Sequence, residues 1–158
     1  IEARDRVRLY WVHSCWIALI FVAHVVSWFA LWRFLDHGPW TVMQSLLLLA
    51  VPILLYLISH LAVPELEDGR THDMRDYYYR HARWMQGLLF SVLLCGSAAQ
   101  AFIEGRPDLA GAGAVRAALA VILLPGTFIQ RPSLHAAQAV LLVLIMLYAV
   151  SFVARPIG

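Results

Sequence analysis

Long apolar runs alternate with short polar segments along the whole chain. Runs of about 18 or more apolar residues predict membrane-spanning helices, because in lipid a helix must satisfy its own backbone hydrogen bonds. The pattern therefore predicts an all-α fold, a polytopic transmembrane helical bundle with five spanning helices in a single membrane domain, residues 1–158. The predicted spans are residues 10–34, 41–63, 84–103, 110–129 and 134–153.

The longest polar segment, residues 64–83, separates the second and third predicted spans. It holds 5 of the 10 acidic residues, 4 of the 12 arginines and 3 consecutive tyrosines. Residue types and spacing predict a juxtamembrane helix over residues 71–83, capped by Thr71 and supported by an Asp76–Arg80 pair one turn apart. The third span is expected to start after this helix.

Composition excludes several classes of function. With 61% hydrophobic and 14% charged residues, the chain lies well outside the range of soluble domains. A net charge of +2 that is dispersed along the chain predicts no nucleic-acid partner. The two cysteines have no C-x-x-C spacing, and no G-x-S-x-G or H-E-x-x-H motif is present. The interiors of the spans contain no Asp or Glu, the usual carboxylates of proton- or cation-coupled carriers.

The distribution of arginine predicts how the chain crosses the membrane. Threading five spans places 8 arginines on the side of the N-terminal segment and of residues 64–83, and 4 on the other side. The positive-inside rule then predicts that residues 64–83 are cytoplasmic. We expect an integral protein of a bacterial inner membrane. The chain opens at Ile1 without a methionine, and a further helix upstream of Ile1 is expected.

His24 lies in the middle of the first predicted span. An ionisable residue at this depth is costly and is a candidate for ligand binding or ion passage. Trp28 follows on the same helix face and completes a candidate cofactor surface. The simpler interpretation, which the sequence favours, is a neutral imidazole that is hydrogen-bonded to a polar residue of a neighbouring helix. The candidate partners are Ser91, Ser97, Gln44 and Ser45.

Four other histidines fall at one predicted depth, near the cytoplasmic ends of four helices: His13, His60, His81 and His135. Two facing histidines at matched depth are what axial ligation of a b-type haem requires, and His13, His60 and His135 are the candidate ligands. The same residues could instead hold a divalent metal. The alternative is that these rings lie at headgroup level because amphipathic rings are stable there.

The polar segment offers a second candidate metal site. His72 and Asp76 are one helical turn apart, and His81 follows in the same segment, so the three could supply nitrogen and oxygen ligands. The spacing is common in surface helices, and the juxtamembrane helix is the favoured interpretation.

Several stretches resemble a group of bacterial polytopic membrane proteins that has no assigned activity. The stretches are RVRLYWVHSCW, HVVSWFALW, LLYLISHLAVPEL and DMRDYYYRHARWMQGLL, which cover about the first 90 residues. The resemblance implies the helical membrane fold and an extra helix before Ile1, and it implies no activity.

The leading hypothesis is a non-catalytic integral membrane subunit that packs against or stabilises a larger membrane assembly. Its expected partners are the lipid bilayer and either other membrane subunits or further copies of itself. The first alternative is a redox membrane protein that binds haem b or a metal through the histidines at the cytoplasmic end. The second alternative is a small channel or carrier with His24 in its pathway.

Overall fold

The computed structural model describes residues 7–32, 34, 39–65, 72–105 and 112–153. Within these residues five helices form: α1 (Trp11–Trp32), α2 (Val42–Ala62), α3 (Met74–Glu104), α4 (Ala112–Phe128) and α5 (Pro132–Val153). Two short strands, β1 (Val7–Arg8) and β2 (His72–Asp73), pair in parallel and join the segments that precede α1 and α3. The predicted all-α bundle is therefore confirmed.

The third helix is longer than the sequence pattern predicts. The expected juxtamembrane helix and third span are one continuous helix of 31 residues, α3. No glycine or proline lies between residues 74 and 86, so nothing in the chain interrupts it there. At 1.5 Å per residue α3 is about 46 Å long, whereas the hydrocarbon core of a bilayer is about 30 Å thick. Part of α3 must therefore extend beyond the hydrocarbon.

Asp73 caps the start of α3. Its carboxylate accepts a hydrogen bond from the backbone N–H of Arg75 at 2.8 Å. The predicted cap, Thr71, lies outside the described residues. Arg80, which was expected to pair with the Asp76 side chain, donates from Nε to the backbone carbonyl of Asp76 at 3.4 Å.

The fourth helix continues through Pro125 and Gly126, two residue types that commonly interrupt a helix. The helical pattern persists beyond this pair, because the backbone N–H of Ile129 donates to the carbonyl of Pro125 at 2.9 Å. Gly126 is buried, and its lack of a side chain has a packing role that is described below.

The helices contact one another in a closed ring. Each helix packs on its neighbours in the chain, and α5 closes the ring on α1. The hydroxyl of Tyr10, just before α1, lies 2.9 Å from that of Tyr79 near the start of α3. His13 near the start of α1 reaches the carbonyl of Ala62 at the end of α2. Starts of odd-numbered helices and ends of even-numbered helices thus share one end of the bundle, which we call the tyrosine end.

The bundle buries apolar side chains inside and exposes others outside. Its core includes Val12, Trp16, Leu19, Ile20, Leu55, Ile58, Met85, Leu123 and Leu142. Large apolar side chains also cover the outer surface, among them Phe21, Phe29, Leu46, Ile53, Val121 and Leu147. An outer surface of this kind is stable when lipid is the solvent.

Three helices, α1, α2 and α3, are long and apolar enough to cross a membrane. The described apolar parts of α4 and α5 are shorter, Gly113–Phe128 and Pro132–Leu147. These lengths and compositions indicate membrane association. The side of the membrane on which each end lies, and the bacterial inner membrane itself, stay predictions from the sequence.

Candidate functional site

Four polar side chains are buried inside the bundle at the tyrosine end. Tyr78 and Gln86 come from α3, and His135 and Gln138 come from α5; we call these four the buried polar cluster. Each is at most 4% exposed. Polar groups removed from water destabilise a structure unless they find hydrogen-bond partners, and in a membrane they are candidates for function. Their hydrogen bonds therefore decide what the cluster can do.

His135 is the centre of the buried polar cluster. Its Nε2 lies 3.1 Å from the backbone carbonyl of Ile129. Because a carbonyl only accepts, Nε2 carries the proton and Nδ1 is the acceptor. The hydroxyl of Tyr78 donates to Nδ1 at 2.8 Å, and the Nε2 amide of Gln86 donates to it at 2.9 Å. Both ring nitrogens of His135 are therefore occupied by groups of the protein itself.

The two glutamines extend this network to α4. Gln86 Nε2 also donates to Gln138 Oε1 at 3.2 Å, and Gln138 Nε2 donates to the backbone carbonyl of Ile122 at 2.6 Å. The Oε1 atom of Gln86 is buried and has no hydrogen-bond partner within the described part of the chain. The cluster therefore connects α3, α4 and α5 through side-chain and backbone groups.

Gly126 allows α4 to approach the two glutamines. A Cβ atom added at Gly126 would lie 2.7 Å from Gln138 Nε2 and closer still to the Oε1 atoms of Gln86 and Gln138. Any residue with a side chain would displace at least one of the amides. The absence of a side chain at this position is thus a requirement of the buried polar cluster.

An aromatic rim surrounds the cluster, formed by Tyr10, His13, Tyr77 and Tyr79. The ring of Tyr78 lies 6.0 Å from that of Tyr10 and 5.9 Å from that of His13, measured between centroids. His13 donates from Nε2 to the Ala62 carbonyl at 2.8 Å, and the hydroxyl of Tyr77 donates to the carbonyl of Leu61 at 3.0 Å. The rim therefore bonds the starts of α1 and α3 to the end of α2.

The structure brings two of the three candidate haem ligands to the same residue. His13 and His135 both contact the ring of Tyr78, at centroid distances of 5.9 and 5.5 Å. His60 is exposed on α2. Axial ligation needs a free imidazole nitrogen on each ligand, and His135 has none. The arrangement does not fit a haem held by His13 and His135.

His24 bonds within its own helix. Its Nδ1 lies 2.9 Å from the backbone carbonyl of Ile20, one turn earlier in α1. Among the described residues, none of the predicted partners on a neighbouring helix bonds to His24, and the ring uses a carbonyl of its own helix instead. Trp28 is 60% exposed on the outer surface and packs edge-on against Trp32.

The candidate metal ligands lie in different local environments. His72 belongs to β2, Asp76 is exposed on the first turn of α3, and His81 places its Nδ1 3.0 Å from the carbonyl of Tyr77. Within the residues that the structure describes, no three His, Cys, Asp or Glu side chains form a group that could hold a metal ion. The structure therefore does not assemble these three residues into a metal site.

Sequence reasoning missed the two glutamines and Gly126. A signal for them was present, because Gln86 and Gln138 each lie near the start of a predicted span, and an amide that enters the hydrocarbon needs a partner. Gly126 follows a proline, and such a pair is more typical of a helix end than of a close packing contact.

A second polar contact joins α3 and α4 at the end opposite the tyrosine end. The Nε2 of Gln100 donates to both carboxylate oxygens of Glu104 at 3.1 Å. Arg116 of α4 donates from Nη2 to Gln100 Oε1. Gln100 therefore bridges an acid and a base that belong to different helices.

No family model matches this chain, and no curated protein or solved structure gives a match. The resemblance in its first 90 residues stays a prediction from those motifs. The functional argument therefore depends on the geometry of the described residues.

Proposed function

We propose that this protein is a non-catalytic integral membrane subunit that packs against and stabilises a larger membrane assembly. The main support is that the buried polar cluster joins the protein's own helices. A histidine that takes part in acid–base catalysis must exchange a proton with a substrate. One ring nitrogen of His135 donates to the carbonyl of Ile129, and the other accepts from Tyr78 and Gln86. Neither nitrogen is therefore available to exchange a proton with a substrate.

The direction of the hydrogen bonds also argues against proton transport through the cluster. Tyr78 donates to His135, and His135 donates in turn to the carbonyl of Ile129. A backbone carbonyl accepts a hydrogen bond but does not pass a proton onward. His13 likewise ends on the carbonyl of Ala62. These chains of hydrogen bonds therefore end inside the bundle, and they hold neighbouring helices together.

The outer surface offers a place where another helix can approach closely. A Cβ atom added at Gly96 of α3 would meet no atom of the described residues within 4 Å, and the neighbouring Ser97 is exposed. Small residues at a helix surface allow close backbone contact with a second membrane helix. The site is therefore open for lateral contact with a partner subunit.

The proposal is tested by purifying the full chain from native membranes in mild detergent. We expect a stoichiometric partner, either another chain or a second copy, to be detected by native mass spectrometry. In G96F the bundle should fold normally, because the added Cβ atom meets open space among the described residues, but the partner should be lost. The matched control L147F adds a ring at a residue of α5 that is 62% exposed and should retain the partner.

Two results would contradict the proposal. One is a monodisperse single chain in every mild detergent tested, without a companion. The other is catalytic turnover or solute flux by the chain alone that is lost in H135A and retained in a folded control variant.

A further inference from the structure

The exposed basic residues of the described chain collect at the tyrosine end. They are Arg8, Arg75, Arg80, Arg83 and Arg131. The other arginine among the described residues, Arg116, lies towards the opposite end and donates to Gln100. Three acids of the described chain, Glu65, Asp73 and Asp76, lie at the same end, so arginines exceed acids there by two, whereas Arg116 and Glu104 balance at the other end.

Two of these arginines, Arg83 and Arg131, lie at the same end of the contact between α3 and α4. A Cβ atom added at Gly87 of α3 would lie 3.8 Å from Cγ2 of Thr127 in α4, so the helices are side by side at this level. Arg83 precedes Gly87 by four residues and Arg131 follows Thr127 by four residues. Because α3 and α4 are antiparallel, both arginines lie beyond this contact at the tyrosine end.

The two guanidinium groups are available to a ligand. Arg83 and Arg131 are exposed, and neither side chain makes a hydrogen bond or ion pair with another residue in the described ranges. Asp76, the nearest described acid before Arg83 on α3, lies about two turns away. Among the described residues the charge beside Arg83 and Arg131 is therefore positive, and the two groups can bind phosphate through several charge-assisted hydrogen bonds.

The surroundings of Arg83 place it where a bilayer presents phosphate. Trp84 is 67% exposed, and exposed tryptophan is enriched at the headgroup level of membranes. On the membrane side of the arginines, α3 and α4 expose apolar side chains that acyl chains would cover. These side chains are Leu94, Val121, Leu124 and Phe128, which are between 44% and 72% exposed.

We propose that Arg83 and Arg131 bind the phosphate of an anionic phospholipid whose acyl chains lie against the exposed surface of α3 and α4. Charge complementarity selects the lipid: a zwitterionic lipid would bring a choline or ammonium group to a positive surface. The inference requires the membrane setting and is independent of the proposed subunit role.

The experiment measures the thermal unfolding midpoint of the full chain in mild detergent while phosphatidylglycerol is titrated. Phosphatidylcholine is the zwitterionic control, and inorganic phosphate is the control for a free anion. The test variant is R83Q/R131Q. The matched control is R8Q/R75Q, which removes two charges from the same end but farther from the Gly87–Thr127 contact.

We expect phosphatidylglycerol to raise the midpoint of the wild-type protein and of R8Q/R75Q with similar apparent affinity. In R83Q/R131Q the apparent affinity should fall by about 30-fold, since each arginine near an anionic lipid contributes about a fivefold factor. Three results would overturn the proposal: equal stabilisation by phosphatidylcholine, an equal loss in both double variants, or displacement of the lipid effect by inorganic phosphate.

Discussion

Replacing Gly126 by alanine tests the packing of the buried polar cluster most directly. The added methyl group would lie 2.7 Å from Gln138 Nε2 and closer still to Oε1 of both Gln86 and Gln138. Neither amide can simply turn away, because Gln86 donates to His135 and Gln138 donates to the backbone of α4. The methyl group must therefore break hydrogen bonds or separate α4 from α3 and α5.

The size of the effect follows from the contacts that are lost. Two hydrogen bonds between membrane helices stabilise by about 1 kcal/mol together. A buried amide that is left without partners costs about 1–3 kcal/mol. Alanine recovers about 1 kcal/mol through its higher helix propensity. We therefore expect G126A to lower the free energy of unfolding by about 1–3 kcal/mol.

The measurement is equilibrium unfolding in mixed micelles with increasing sodium dodecyl sulfate, followed by tryptophan fluorescence and circular dichroism. The matched control is G96A, the same substitution within α3, where an added Cβ atom meets nothing within 4 Å in the part of the chain that the structure describes. G96A should be neutral or stabilising by up to about 1 kcal/mol, because only helix propensity changes.

The comparison of G126A with G96A shows whether α4 packs against the two glutamines. If G126A and G96A unfold at the same detergent fraction, α4 does not approach the glutamines as closely as the structure indicates. The reasoning about the buried polar cluster would then be wrong.

Three further predictions concern the same end of the bundle. Y78F removes the donor to His135 Nδ1 and should lower the free energy of unfolding by about 1 kcal/mol. The control Y56F changes a residue that is 69% exposed and should shift the unfolding midpoint little. Equal effects of the two variants would contradict the hydrogen bond between Tyr78 and His135. H135A leaves two donors and one carbonyl without their partner and should lower the free energy of unfolding in detergent by about 2–4 kcal/mol. H24A, whose hydrogen bond lies within its own helix, should lower it by less than about 1 kcal/mol. A larger effect of H24A than of H135A would refute the assigned partners. Absorption spectra of the oxidised and dithionite-reduced protein should show no Soret band, because both ring nitrogens of His135 are hydrogen-bonded within the protein. A band that shifts on reduction and disappears in H135A would overturn that conclusion.

The sequence predicts most of the fold because helix length and apolarity are properties of short segments. The second helix shows this well, since Thr41 and Gln44 form a capping box at the predicted start of the span. The third helix shows the limit of the approach. Polar residues before Trp84 were assigned to a separate helix, although polarity does not interrupt a helix that has no glycine or proline.

The candidate site was only partly predictable. Matching residues by depth along antiparallel helices predicts that His13 and His135 lie at one level, and the structure brings both to Tyr78. Depth alone does not fix the direction in which a ring points or the partner that it finds. The partners of His135 depend on how α3, α4 and α5 rotate about their axes, and this rotation is set by packing between residues that are far apart in the sequence.

The contact of α5 with α1 has a consequence for biosynthesis. Residues of α3 leave the ribosome well before those of α5, so Tyr78 and Gln86 enter the membrane before His135 and Gln138 exist. Until α5 is inserted, Tyr78 and Gln86 lack their native partners, and α1 has not yet met α5. A nascent chain that stalls before α5 therefore presents unsatisfied amide and phenol groups, which membrane quality-control proteases and insertases can recognise.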